Sequence, residues 1–196
     1  ILSRSIRMDT FALWFAFFSC LTAVYFSYIW IPTLLADRGH DLSVSSGALT
    51  YFNVGGIIAS VAAGWLVARL GSKAMLLALA TLGSLVTVYV IFAPHLIDAS
   101  GGALGALFAL QGAAILGLQV LLYPLAAHVY PTAMRATGVG TAAGIGRLGA
   151  FLSANVGAIL LSWHGTVSFF AAVLVCLAFT ATGVVAVSRQ IRRDHA

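Results

Sequence analysis

The sequence predicts an all-α integral membrane protein, a bundle of six transmembrane helices arranged as a 3+3 inverted repeat. Three observations carry this. Hydrophobic residues make up 61% of the chain and charged residues only 8%, against roughly 25% charged in a soluble domain. Six apolar stretches each reach the roughly 20 residues that a helix needs to cross a bilayer. The cations between these stretches fall almost entirely into alternate connections.

The stretches lie at about 11–36, 45–68, 74–94, 103–129, 138–162 and 166–188, within a single transmembrane domain over 1–196. The polar punctuations ADRGHDLS, RLGSK, PHLIDASGG, YPTAMRAT and SWHGT separate them. Barrel strands would be shorter and would alternate in polarity, so the spans are helical. Pro32 and Pro124 fall inside spans, where neighbouring helices can satisfy the freed carbonyls. The N-terminal flank, the second and fourth connections and the tail hold Arg4, Arg7, Arg69, Lys73, Arg135, Arg189, Arg192 and Arg193; the other connections hold only Arg38, beside Asp37, Asp41 and Asp98. By the positive-inside rule both termini are expected in the cytoplasm, in a multi-pass protein of the plasma membrane. Trp14, Trp65, Trp30 and Trp163 fall near predicted helix ends, as an interfacial belt would. Three helices in each set is an odd number, so the second set enters from the opposite side; this is an inverted repeat in topology, without residue-level identity between the sets.

The composition excludes several classes of function. The net charge is +5, but the cations form no face for nucleic acid. Cys20 and Cys176 sit in apolar runs and read as small core residues. No HExxH, paired intramembrane carboxylates or nucleophile elbow is present, so no enzyme is expected. His40, His95, His128, His164 and His195 lie at helix ends or in the tail without ligand spacing, so neither a metal nor another cofactor is expected. The chain starts at Ile1, with a span following at once, which suggests a piece of a longer protein.

Polar groups inside spans are costly in lipid and are the better lead. Arg147 lies nine residues after Gly138, about 13 Å along the helix and near mid-membrane. Phe151 and Asn155 follow within an arc of about 80°, and Gly140 and Gly144 share that face as a GxxxG. Arg147 either anchors an anionic substrate group or ties to carbonyls or a carboxylate on another helix. Tyr25, Tyr28, Asn53, Gln111, Gln119 and Tyr123 are candidates for lining a polar cavity, with interhelical hydrogen bonding as the alternative for each. The glycines of the fifth span suggest close helix approach or a hinge.

Two stretches then carry a resemblance. YPTAMRATGVG (130–140), continuing into GIGRLGA (144–150), is similar to the junction of helices ten and eleven in the aromatic acid/proton symporter family of the major facilitator superfamily. GWLVARLGSK (64–73) resembles the second-half copy of that superfamily's G-x-x-x-D-R-x-G-R/K-R/K loop. The resemblance implies half of a major-facilitator fold, helices seven to twelve of a carrier whose N-terminal half is the missing partner. It implies proton-coupled uptake of aromatic or other small organic acids by alternating access, with the organic acid, protons and the lipid bilayer as partners. On this reading Arg147 anchors the substrate carboxylate; Tyr25, Tyr28, Asn53, Gln119, Tyr123 and Asn155 line the path; Arg69, Lys73, Arg135 and His128 act at a cytoplasmic gate. Two positions depart from the pattern. Ala68 and His128 stand where the family places acids, so its charge latch is incomplete here, and proton coupling would depend on carboxylates elsewhere. A facilitator for sugars, metabolites or drugs, and a self-contained six-helix assembly subunit or enzyme, remain the competing classes.

Overall fold

The computed structural model describes residues 6–98 and 101–191, apart from the side chains of Leu161, Trp163 and His164. Arg4, Arg192, Arg193 and His195 therefore lie outside the described residues, as do the side chains of Trp163 and His164. Six long helices account for nearly all of it: α1 (Arg7–Asp37), α2 (Leu42–Leu70), α3 (Ser72–Phe92), α4 (Gly102–Val129), α5 (Arg135–His164) and α6 (Thr166–Ala186). Each is long and apolar enough to cross a membrane. Short 3-10 turns, Pro94–Asp98 and Thr132–Met134, precede α4 and α5. The connections are tight because glycines turn the chain: Gly39, Gly71, Gly101 and Gly165 all have positive φ, a region that costs glycine little.

The packing has a twofold pattern. The two most extensive helix pairs are α2 with α4 and α5 with α1. The next are α1 with α6, α3 with α6 and α3 with α4. Exchanging α1–α3 for α4–α6 maps this set of contacts onto itself, with α3–α6 unchanged, as an inverted repeat requires. α1 and α4 are the most buried helices and form the centre. α3 and α6 cover one side of them, and α2 and α5 flank them and are the least buried.

Glycine sets the closest crossings. A methyl on Gly55 of α2 would overlap the Ala109 carbonyl of α4, and one on Gly112 of α4 would overlap the Phe52 carbonyl of α2. In the equivalent pair, Gly146 faces the Phe17 carbonyl of α1 and Gly149 the Phe18 carbonyl and Thr22 hydroxyl. In hydrocarbon the drive to associate is packing rather than water release, so backbones that touch are favoured. Gly140 and Gly144 play no part in this: nothing lies within 4 Å of a methyl at either position. The α5 contact uses a different face from the one their GxxxG spacing suggested.

Two tryptophans also pack against neighbours within the bundle. The Trp30 indole donates to the Ser153 carbonyl of α5 at 3.0 Å, and its ring lies against Gly157. Trp14 is half-buried, edge-on to Phe11 with centroids 5.5 Å apart. Both are used for packing within the bundle. Trp65 is exposed, with the Arg69 guanidinium 4.0 Å over its ring.

Candidate functional site

The side of α1 and α4 turned away from α3 and α6 carries the candidate residues. On α4, Ala114 meets Gly83 of α3. Tyr123 is nine residues further on, two and a half turns, and so lies on the opposite face. On α1, Ala16 meets Gly183 of α6, and Tyr25 is again nine residues on. Both tyrosines are exposed and Gln119 is half-buried. Gln111, by contrast, is buried between α3 and α4, where its amide donates to Thr87 Oγ1 at 3.0 Å.

Phe17 of α1 brings three helices to one level. Its ring meets that of Tyr123 edge-on, with centroids 5.1 Å apart, and its carbonyl faces Gly146 of α5. Arg147 is the next residue. It is exposed, and among the described residues it makes no hydrogen bond or ion pair. Gly140, Gly144, Phe151 and Asn155 are exposed on the same face. Asn155 turns its amide back onto the Phe151 carbonyl at 2.9 Å.

Towards the other end, Tyr28 and Asn53 are brought together across α1 and α2 at 2.5 Å. The Asn53 amide nitrogen donates to the Leu49 carbonyl at 2.7 Å, so its oxygen faces Tyr28. A carbonyl oxygen only accepts, so the tyrosine hydroxyl is the donor. The Tyr28 ring also meets Phe52 edge-on at 5.6 Å.

At the end that carries Arg7, Arg69, Lys73, Arg135 and Arg189, the gate candidates separate into two groups. Arg69 rests on Trp65, and Lys73 Nζ lies 3.5 Å from the Val185 carbonyl near the end of α6. His128 and Arg135 line a cleft of about 460 Å³ between the α4–α5 connection and the segment that follows α6. Tyr130 lies in that connection, and burial raises its phenol above the usual range, which keeps it neutral.

Asp9 is a group that sequence reasoning missed. It is buried in the first turn of α1. Its carboxylate accepts from the Ser188 backbone N–H at 2.6 Å and from the Ser188 hydroxyl at 2.8 Å, and it lies 3.7 Å from Arg189 Nε. Ser72 at the start of α3 holds the same segment: its hydroxyl donates to Gln190 Oε1 at 2.8 Å and accepts from the Ile191 N–H at 2.9 Å. Residues 188–191 thus form a strap from α1 to α3. An acid–arginine pair does exist at this end, but it uses neither Ala68 nor His128. At the opposite end Arg38 makes the matching clasp, with Asp98 at 3.1 Å and with Thr166 Oγ1, at the start of α6, at 2.8 Å.

Six apolar helices in two inverted triplets, with tyrosines and an arginine that has no partner among the described residues on the uncovered face, define a multi-pass α-helical membrane protein of the carrier type. The chain belongs to the Major Facilitator Superfamily, whose family model matches residues 13–195. It is 36% identical over 163 residues to the 4-hydroxybenzoate transporter PcaK of Pseudomonas aeruginosa, covering 82% of this chain and 35% of that protein. It is 35% identical over 155 residues to the benzoate transport protein of Acinetobacter baylyi, covering 79% of this chain and 31% of that protein. It is 31% identical over 162 residues to the gallate transporter of Pseudomonas putida, with 83% and 35% covered. The chain spans about a third of the length of these relatives.

Proposed function

We propose that this chain forms one half of a secondary transporter for small aromatic carboxylic acids. One observation carries the reading: Arg147, twelve residues or about 18 Å into α5, has no partner among the described residues and faces away from the bundle's own core. A charge at that depth needs a wet cavity or an anion. The relatives' names supply an anion of fitting chemistry, since benzoate, 4-hydroxybenzoate and gallate each carry one carboxylate on an aromatic ring. Arg147 binds that carboxylate. Tyr25, Tyr123 and Gln119 line the path beside it, and Tyr28, Asn53 and Asn155 line it further along. A second helical half covers the open face, and the path is exposed to each side of the membrane in turn. Arg69, Lys73, Arg135 and His128 act where the path closes at the basic end. Proton coupling uses carboxylates supplied by that second half.

The test is uptake into vesicles by the full-length protein carrying this chain. Benzoate and 4-hydroxybenzoate should be accumulated when the vesicle exterior is made acidic, and neutral sugars should not. Sugar uptake with no response to the aromatic acids would overturn the reading.

The charge bias supports an orientation in the plasma membrane with the basic end and both termini on the cytoplasmic side. A cysteine placed at Ala68 should be shielded from impermeant thiol reagents in intact cells, and one placed at Asp98 should be labelled. The reverse pattern would refute this orientation.

A further inference from the structure

We propose that the cleft at the basic end is a binding site for a phosphate group, carried by the headgroup of an anionic phospholipid. The site lies at the basic end, away from Arg147; it shares His128 and Arg135 with the proposed gate and does not depend on what the protein transports. The cleft, about 460 Å³, has two walls. His128 at the end of α4, Thr132 in the α4–α5 connection and Arg135 at the start of α5 form one wall, and Ser188, Arg189 and Gln190 of the strap after α6 form the other.

The chemistry of the lining suits a phosphate. Arg135 and Arg189 provide guanidinium donors, Thr132 and Ser188 provide hydroxyls, and Gln190 provides an amide dipole. Arg135 and His128 are exposed and have no hydrogen-bond or ion-pair partner among the described residues. Asp9 is the one carboxylate at the back of the strap among the described residues, and its oxygens already accept from the Ser188 N–H and hydroxyl beside Arg189 Nε. It therefore anchors the wall and leaves the front of the cleft cationic.

Position selects the lipid as the source. α4 ends at Val129, α5 begins at Arg135 and α6 ends at Ala186. The lining therefore lies at the helix ends, where hydrocarbon gives way to headgroups. α6 packs on α3 and α1 and presents Val175, Phe179 and Val185 outward, so the strap wall stands at the rim of the bundle, where lipid arrives. Basic pockets between membrane helices on the cytoplasmic side are suited to anionic headgroups.

The experiment extracts the full-length protein from vesicles of mixed phosphatidylcholine and phosphatidylglycerol and counts retained lipids by native mass spectrometry. Phosphatidylglycerol should be retained at least about tenfold over its share, and the preference should fall as salt is raised. The double variant Arg135→Gln, His128→Gln should lose the preference, and Arg135→Lys should keep most of it, because a phosphate accepts a point charge. Inorganic phosphate should not displace the lipid. Equal retention of the two lipids overturns the proposal, and is what results if an acidic side chain from the rest of the protein fills the cleft. A preference unchanged in the double variant, or displacement by inorganic phosphate, also overturns it. If the double variant does not fold, the wild-type salt series decides: a preference insensitive to salt overturns it.

Discussion

Gly112→Leu should remove most of the folded protein from the membrane. Any side chain at this position begins with a Cβ, and that atom would overlap the Phe52 carbonyl carbon and oxygen. The obstacle is backbone, so no rotamer change relieves it. α2 and α4 would have to separate along the most extensive interface in the bundle. Gly55, across the same crossing, would lose its fit to the Ala109 carbonyl at the same time. Overpacking typically costs 1–3 kcal/mol, and a clash against backbone belongs at or above the top of that range. About 3 kcal/mol is roughly a hundredfold in the folded-to-unfolded ratio. The measurement is the monodisperse peak of a fluorescent fusion of the full-length protein in mild detergent. Gly102→Leu, at the start of the same helix, is the control, because nothing lies within 4 Å of its Cβ, and its peak should remain. Equal peaks for the two variants would mean that the α2–α4 crossing does not depend on glycine.

Replacing Arg147 should lower affinity for the aromatic acid while sparing the fold. A carboxylate that reaches mid-membrane loses most of its hydration, and a fixed cation has to replace it. Arginine suits the task because its planar fork holds both oxygens and it stays charged when partly desolvated. Arg147→Lys keeps the charge and loses the fork, so affinity should drop at least about tenfold, or 1.4 kcal/mol. Arg147→Ala should abolish specific binding. Folding should survive both changes, since Arg147 is exposed and bonds to no described residue of its own bundle. Binding measured per folded molecule separates the anchor from a structural role. Unchanged affinity in well-folded Arg147→Ala would rule the anchor out, and loss of folded protein with normal binding by the survivors would make the residue structural.

The two residues show how differently the sequence speaks about fold and site. Arg147 was legible because its depth follows from counting at 1.5 Å per residue from Gly138, and a charge at that depth is conspicuous. Gly112 was not, because nothing in its neighbourhood separates it from Gly140 or Gly144. Whether a glycine is needed depends on which helix arrives opposite it. The same limit explains Asp9. It lies near a helix start among other polar residues, and its partners Ser188 and Arg189 are about 180 residues away along the chain.

By itself the sequence determined the solvent, the number and order of the helices and their alternation. These follow from sums over composition and run length, because a bilayer demands about 20 apolar residues per crossing whatever they pack against. It also marked which intramembrane polar groups were costly. Only the tertiary structure decided what those groups do. It put Gln111 into an α3–α4 hydrogen bond, joined Tyr28 to Asn53, turned Trp30 inward to Ser153, and left Arg147 and Tyr123 on the open face. The physical reason is that all sides of a membrane helix are apolar enough for lipid. Periodicity therefore does not mark the buried face, and helix pairing is settled by backbone fit at a few small residues.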